Sequence, residues 1–262
     1  MLLNWIFTAL AVSGSALICG LTPLSPWWGL PLAVGLYAGA GIVFIILVLL
    51  STLLLPKDTP SKKRYGVYHW FIQHTLSWVM LVLGYRISLQ GAERIPTDRP
   101  FLLVSNHLSN MDPLITLAVF RKWHLGYVSK PENFKIPVIG IAMRRACFLS
   151  IDRENPRNAV TTIKRAAEQI TDMGLSMAIY PEGTRNKSGE GLLPFHAGSF
   201  KIAKLAKCPV AVMTVRYDKR RPFGKIVTLN IVDMMDEAYV AEHQTADMSD
   251  RARTAMEKNL NK

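Results

Sequence analysis

The chain has 262 residues, 50% of them hydrophobic, and carries 31 basic against 19 acidic side chains for a formal charge of +12. That length accommodates one domain of roughly 150–200 residues plus an appendage. Strong basicity calls for a negative partner, which can be nucleic acid, an anionic membrane or a phosphorylated substrate, and the uncharged first fifth of the chain decides for the membrane.

No Asp, Glu, Lys or Arg precedes Lys57. Leu2 to Leu21 is apolar, "TPLSPWWG" (Thr22 to Gly29) interrupts it, and Leu30 to Leu55 is a second uncharged run long enough to cross a bilayer with some tilt. Trp27 and Trp28 suit a membrane–water boundary, and Lys57, Lys62, Lys63 and Arg64 place the following end in the cytoplasm. Residues 1–56 are therefore expected to be a membrane anchor of two hydrophobic helices, spanning or dipping into one leaflet. Residues 57–90 read as a basic linker followed by an amphipathic helix within Tyr68 to Tyr85, lying either in the interface or on the domain core. His69 and His74 in that stretch read as solvated or capping residues. Cys19, Cys147 and Cys208 lie in apolar runs outside any CxxC pair and read as buried free thiols.

Residues 91–262 read as an α/β catalytic domain. "FLLVS" (Phe101 to Ser105), "LGYVS" (Leu125 to Ser129), "ACFLSI" (Ala146 to Ile151) and "LSMAIYP" (Leu175 to Pro181) have the apolar character of strands buried on both faces. Helical spacing runs from Pro113 to Phe120. From Asn155 to Gly174 a capping Asn, a Pro at the first turn and a terminal Gly frame a second helix. Ser199 to Ala206 reads as a further helix, "PVAVMTV" and "KIVTLNIV" as two more strands, and Met248 to Leu260 as a polar terminal helix. Strands alternating with helices predict a largely parallel or mixed sheet flanked by helices. In such sheets sites form beyond the carboxyl ends of strands.

Polar segments fall at those places. "SNHLSNMDP" (Ser105 to Pro113) puts His107 just past the first strand and Asp112 at the start of the next helix. A neutral histidine can take a proton from an attacking hydroxyl, and a carboxylate on its other nitrogen stabilises the imidazolium. The same residues also allow Asp112 to be a plain helix cap. "YPEGTRN" (Tyr180 to Asn186) offers the backbone of Gly183, the hydroxyl of Thr184 and the guanidinium fork of Arg185, a set suited to phosphate. Arg153 in "IDRENPR" and Lys130 in "VSKPE" follow two further strands. Each of these also reads as an ordinary polar turn or a solvated surface charge.

Together, histidine–four residues–aspartate, then "SIDR", then "PEGTR", in this order across Gly91 to Val215, resemble the glycerolipid acyltransferases, and most closely the 1-acylglycerol-3-phosphate acyltransferases. The resemblance implies that His107 is the general base and Asp112 its orienting carboxylate. It places Arg153, Glu182, Gly183, Thr184 and Arg185 on the side of the phosphorylated acceptor, and Pro209 near the acyl donor. The chain departs from the pattern at Cys147, where glycine is common, at Val212, where a second proline is frequent, and at His196, which replaces a basic residue.

The implied reaction is transfer of an acyl group from acyl-CoA or acyl-acyl carrier protein to the sn-2 hydroxyl of lysophosphatidate, at the inner or plasma membrane, with the catalytic domain facing the cytoplasm. No metal or other cofactor and no nucleic acid is expected. Two alternatives stay open: another acceptor (glycerol 3-phosphate, a different lysophospholipid or an amino-acid lipid), or a thioesterase-like hydrolase in which His107 activates water.

Overall fold

The computed structural model describes residues 2–53, 66–136, 139–152, 156–188, 190–218 and 224–261. Its strands are β1 (Arg86–Gln90), β2 (Leu102–Ser105), β3 (Leu125–Ser129), β4 (Leu149–Ser150), β5 (Ser176–Ile179), β6 (Val210–Asp218) and β7 (Ile226–Met235). They form one mixed sheet in the order β1-β7-β6-β2-β5-β3-β4, parallel throughout except where β6 meets β7. The helices are α1 (Leu2–Leu21), α2 (Gly29–Leu53), α3 (Gly66–Val82), α4 (Asp112–Val119), α5 (Ile139–Arg145), α6 (Pro156–Met173), α7 (Lys201–Ala206), α8 (Glu237–Glu242) and α9 (Thr245–Leu260).

Side chains alternate across a strand, so an apolar run buried on both sides feeds two cores at once. Leu102 and Val104 of β2 pack with Met177, Ile179 and Val210 against Ala166, Ile170, Ile202 and Met248 of the helices on one face. Leu103 packs on the other face with Ala178, Ala211 and Met213, against Met80, Ile115 and Leu117. Because β6, β2, β5, β3 and β4 all run the same way, their carboxyl ends share one edge.

Helices α1 and α2 form an antiparallel hairpin closed by a short 3-10 turn at Pro26–Trp28. Phe7 meets Tyr37 and Phe44 edge-on. Among the described residues one stretch, Pro26–Leu47, is long and apolar enough to cross a membrane; the apolar part of α1, Trp5–Leu21, is shorter than such a span. Trp27 at the hairpin tip is 89% exposed. The hairpin is tied to the rest of the chain through Trp78 of α3, whose indole N–H donates to the Tyr37 hydroxyl at 3.0 Å. A Cβ on Gly41 would stand 2.1 Å from the Trp78 ring, so α2 needs a glycine there to seat it.

Helix α3 packs on the domain core, which decides between the two readings of Tyr68 to Tyr85. The Gln73 amide donates to the carbonyls of Phe120 and Trp123 at 3.1 and 3.0 Å, and the Ser77 hydroxyl to that of Ala118 at 2.8 Å. The Ala118 carbonyl lies in the last turn of α4, where the helix itself supplies no donor. His69 is buried rather than solvated, edge-on to the His124 ring, because its face of α3 turns toward the domain.

Two regions differ from expectation. The sheet begins at Arg86, inside the stretch read as linker, because β1 is an edge strand paired with β7, and its polar–apolar alternation is too short to stand out. The turn that closes helix α5 takes up the start of the sequence read as the third strand. Cys147 ends it with φ +60°, and the Phe148 N–H reaches back to the Met143 carbonyl at 2.9 Å, leaving only Leu149–Ser150 as strand. That left-handed position is one a glycine fills without strain. Cys19 is half-buried, while Cys147 and Cys208 are buried; burial pushes the Cys208 thiol up to about 12.

Lys207 ends α7 in the same left-handed conformation, at φ +50°, with its side chain exposed. Replacing it with glycine removes the Cβ clash without disturbing packing. Lys207→Gly is therefore expected to stabilise the fold by about 0.5–1 kcal/mol, read from denaturant midpoints at unchanged m-value.

Candidate active site

The loop after β2 carries the first cluster. Asn106, fully buried, faces β6: its Oδ1 accepts the Val215 N–H at 2.7 Å and its Nδ2 donates to the Val215 carbonyl at 3.1 Å. An amide side chain thus imitates a strand residue and fixes the chain just before His107. The His107 backbone is held on both sides by the loop after β5. Its N–H donates to Glu182 Oε1 at 2.8 Å, and its carbonyl accepts from the Asn186 N–H at 2.7 Å. The imidazole lies flat on the Tyr180 ring, with centroids 4.0 Å apart and planes 10° off parallel.

Nδ1 of His107 stands 2.9 Å from Oδ2 of Asp112. The same oxygen accepts the N–H groups of Leu108 and Ser109 at 2.7 and 2.8 Å, and Oδ1 accepts the Tyr217 hydroxyl at 2.5 Å. Asp112 is not a helix cap. It is the first residue of α4, the cap position falls on Met111, and the carboxylate turns back into the preceding loop. The reason is donor supply: four donors converge on a fully buried carboxylate, and the α4 amides are not among them. A carboxylate has no proton to give, so Nδ1 carries the hydrogen and Nε2 keeps a lone pair. Nε2 has no hydrogen-bond partner among the described residues, and the His107 side chain is 16% exposed.

Glu182 is buried, and both its oxygens are committed: Oε1 to His107 and Oε2 to the Leu193 N–H at 3.1 Å. It was expected to face the acceptor. Its carboxylate is committed to two backbone N–H groups. Burial raises its pKa, and the two N–H donors oppose the rise. Gly183 has φ +75° and closes a turn through its N–H to the Tyr180 carbonyl at 3.0 Å. Thr184 is exposed and Arg185 half-buried on that turn. The Asn186 amide locks the loop by donating to the Glu190 and Gly191 carbonyls.

Lys130 is exposed just past β3, and Arg153, past β4, lies outside the described residues. Along the sheet order β2-β5-β3-β4, β3 stands two strand spacings from β2, about 10 Å, and β4 one further. The structure thus brings His107, Asp112, Glu182 and Gly183 together and leaves Lys130 at the flank of the same edge. Pro209 lies at the opposite end of β6, where its carbonyl accepts the Leu102 N–H at 2.9 Å.

Asn106, Tyr180 and Tyr217 were not singled out from the sequence as site residues. The first two adjoin "HLSNMD" and "PEGTR", so their neighbours carry a signal; Tyr217 reaches Asp112 across 105 positions and carries none.

Fold and site together define an α/β protein with a half-buried histidine on a buried aspartate at the carboxyl edge of a mixed sheet. A family model described as Acyltransferase matches residues 86–216, half of the chain, and the chain belongs to that family. It is 33% identical over 197 residues to a chloroplastic 1-acyl-sn-glycerol-3-phosphate acyltransferase of Brassica napus, covering 74% of this chain and 56% of that protein. It is 30% identical over 132 residues to 1-acyl-sn-glycerol-3-phosphate acyltransferase alpha of Homo sapiens, covering 50% and 46%. The chain spans about half the length of these curated relatives. The crystal structure of the 1-acyl-sn-glycerophosphate acyltransferase from Thermotoga maritima shares the fold, with a TM-score of 0.66 at 20% identity, over 98% of this chain and 96% of that one.

Proposed function

We propose that this chain transfers a fatty acyl group from acyl-CoA or acyl-acyl carrier protein to the sn-2 hydroxyl of 1-acylglycerol 3-phosphate, forming phosphatidate. One observation carries the reading: a histidine oriented through Nδ1, with Nε2 open, in a family whose relatives similar to this chain bear that name. Nε2 of His107 takes the hydroxyl proton as the oxygen attacks the thioester carbonyl. The new C–O bond gives a tetrahedral intermediate. Its collapse breaks the C–S bond, and the imidazolium returns the proton to the departing thiolate. Asp112 takes no proton; it holds the ring and stabilises its positive charge.

Arg185, with Gly183, Thr184, Arg153 and Lys130, supplies the acceptor's phosphate with positive charge and N–H groups. Glu182 shapes that loop by binding backbone. The α1–α2 hairpin and the apolar span it contains carry the domain on the membrane, with the Lys57–Arg64 end on the cytoplasmic side.

The test offers the purified full chain in lipid nanodiscs labelled acyl-CoA or acyl-acyl carrier protein, with lysophosphatidate, glycerol 3-phosphate and other lysolipids in turn. Phosphatidate is the expected product. Free fatty acid alone in the presence of lysophosphatidate overturns the reading in favour of a hydrolase. In the same assay Arg185→Ala is expected to raise the KM for the phosphorylated acceptor about tenfold, with a smaller change in kcat. An unchanged acceptor KM removes Arg185 from the phosphate site.

A further inference from the structure

The loop from Asn106 to Asp112 is gripped at both ends by β6. The Val215 backbone holds the Asn106 side-chain amide through two hydrogen bonds, and two residues further on, on the same face of the strand, Tyr217 reaches Asp112. The Tyr217 hydroxyl is the one donor to Oδ1 among the described residues, whereas Oδ2 has three. The phenol is itself seated. Tyr217 pairs with Val227 in β7, and the Lys225 ammonium lies 5.5 Å from its ring centroid. Burial, reinforced by the charge of Asp112, pushes its pKa far above the ordinary tyrosine value, so the hydroxyl remains a donor. Tyr217 falls just beyond the stretch the family model matches.

We infer that Tyr217 is a positioning residue for the His107–Asp112 pair. Its hydrogen bond fixes the rotation of the carboxylate, so that Oδ2 faces Nδ1, and draws negative charge toward Oδ1. It thereby sets how strongly Asp112 holds the Nδ1 proton and the imidazolium that forms during transfer. This rests on the reading of His107 as the general base.

The test uses the full chain with Tyr217→Phe, which removes only the hydroxyl. The expected kcat falls about tenfold, while the KM values for donor and acceptor stay within about twofold. With one donor lost the carboxylate is more basic and favours the imidazolium, so the acid limb of the pH–rate profile moves to higher pH. Incorporation of 3-fluorotyrosine at position 217 keeps the shape and strengthens the donor, so the limb moves to lower pH; this variant also decides the matter if Tyr217→Phe folds poorly. In an Asp112→Asn background Tyr217→Phe is expected to cost nothing further in kcat. An unchanged kcat and pH profile, or the same loss in both backgrounds, overturns the inference.

A substrate-free arm separates this from the functional reading. In histidine-15N-labelled protein, the His107 Nδ1–H proton resonance is expected to move downfield in Tyr217→Phe, and an unmoved resonance overturns the positioning role. Absence of acyl transfer by the unsubstituted chain defeats the functional reading instead, and leaves the resonance to decide Tyr217.

Discussion

His107→Ala is expected to lower acyl transfer by roughly 10²–10⁴-fold and leave the fold in place, because general-base catalysis of this kind contributes that much and the oriented base cannot be replaced by its neighbours. The structural cost is small for identifiable reasons. The side chain is 16% exposed and makes one hydrogen bond, through Nδ1. The groups that hold this stretch of chain, the His107 N–H on Glu182 and its carbonyl on Asn186, belong to the backbone and survive the substitution. Asp112 keeps the N–H donors of Leu108 and Ser109 and the Tyr217 hydroxyl, so no buried carboxylate is stranded. Single-turnover acyl transfer and thermal melting measured on the same preparation check both halves. Activity within tenfold of the unsubstituted chain sinks the mechanism, and a collapsed melting transition shows that the imidazole stacked on Tyr180 carries structural weight.

The parts of this molecule legible in the sequence are those whose physics is local. β2, β3 and β5 are continuous apolar runs because both faces are covered, and a run of that kind marks itself. Helix α6 announces its start with Pro156 and its stop with Gly174, which has φ +62°. His107 and Asp112 are legible as residue types at a strand end and a helix start, and their role could be argued by position. The direction of the Asp112 carboxylate could not: a cap and a loop clamp use the same residue, and the choice rests on where the N–H groups of Leu108 and Ser109 point once the loop has folded. β1 escaped because an edge strand alternates over a few residues only. Cys147 hid the end of α5, since a non-glycine residue at a left-handed position gives no stop signal. The cradle of His107 is the clearest case. "PEGTRN" reads as a phosphate loop, yet its Glu182 and Asn186 bind the His107 backbone. That follows from β5 lying beside β2, a pairing no local pattern encodes.

Asp112→Asn is expected to lower kcat by roughly 10³–10⁴ at a modest cost in stability, and the geometry explains why the two effects separate. The amide has one oxygen and one NH2 to offer four donors. Placed with its oxygen at the Oδ2 position, it still accepts from Leu108, Ser109 and His107, while its NH2 meets the Tyr217 oxygen, which can rotate to accept. The opposite orientation sets an NH2 against two backbone N–H groups and is excluded. The first arrangement loses about 1.5–3 kcal/mol of stability, the range for a hydrogen bond to a charged group. What it cannot supply is the negative charge beside Nδ1 that the imidazolium requires. Asp112→Ala differs in kind: it leaves two backbone N–H groups, the imidazole N–H and a phenol without an acceptor in a buried site, so its loss of activity would mix misfolding with chemistry. The asparagine variant is therefore the informative one. A folded Asp112→Asn protein that keeps kcat within tenfold would mean the carboxylate serves only to shape the loop, and that His107 works without a charged partner.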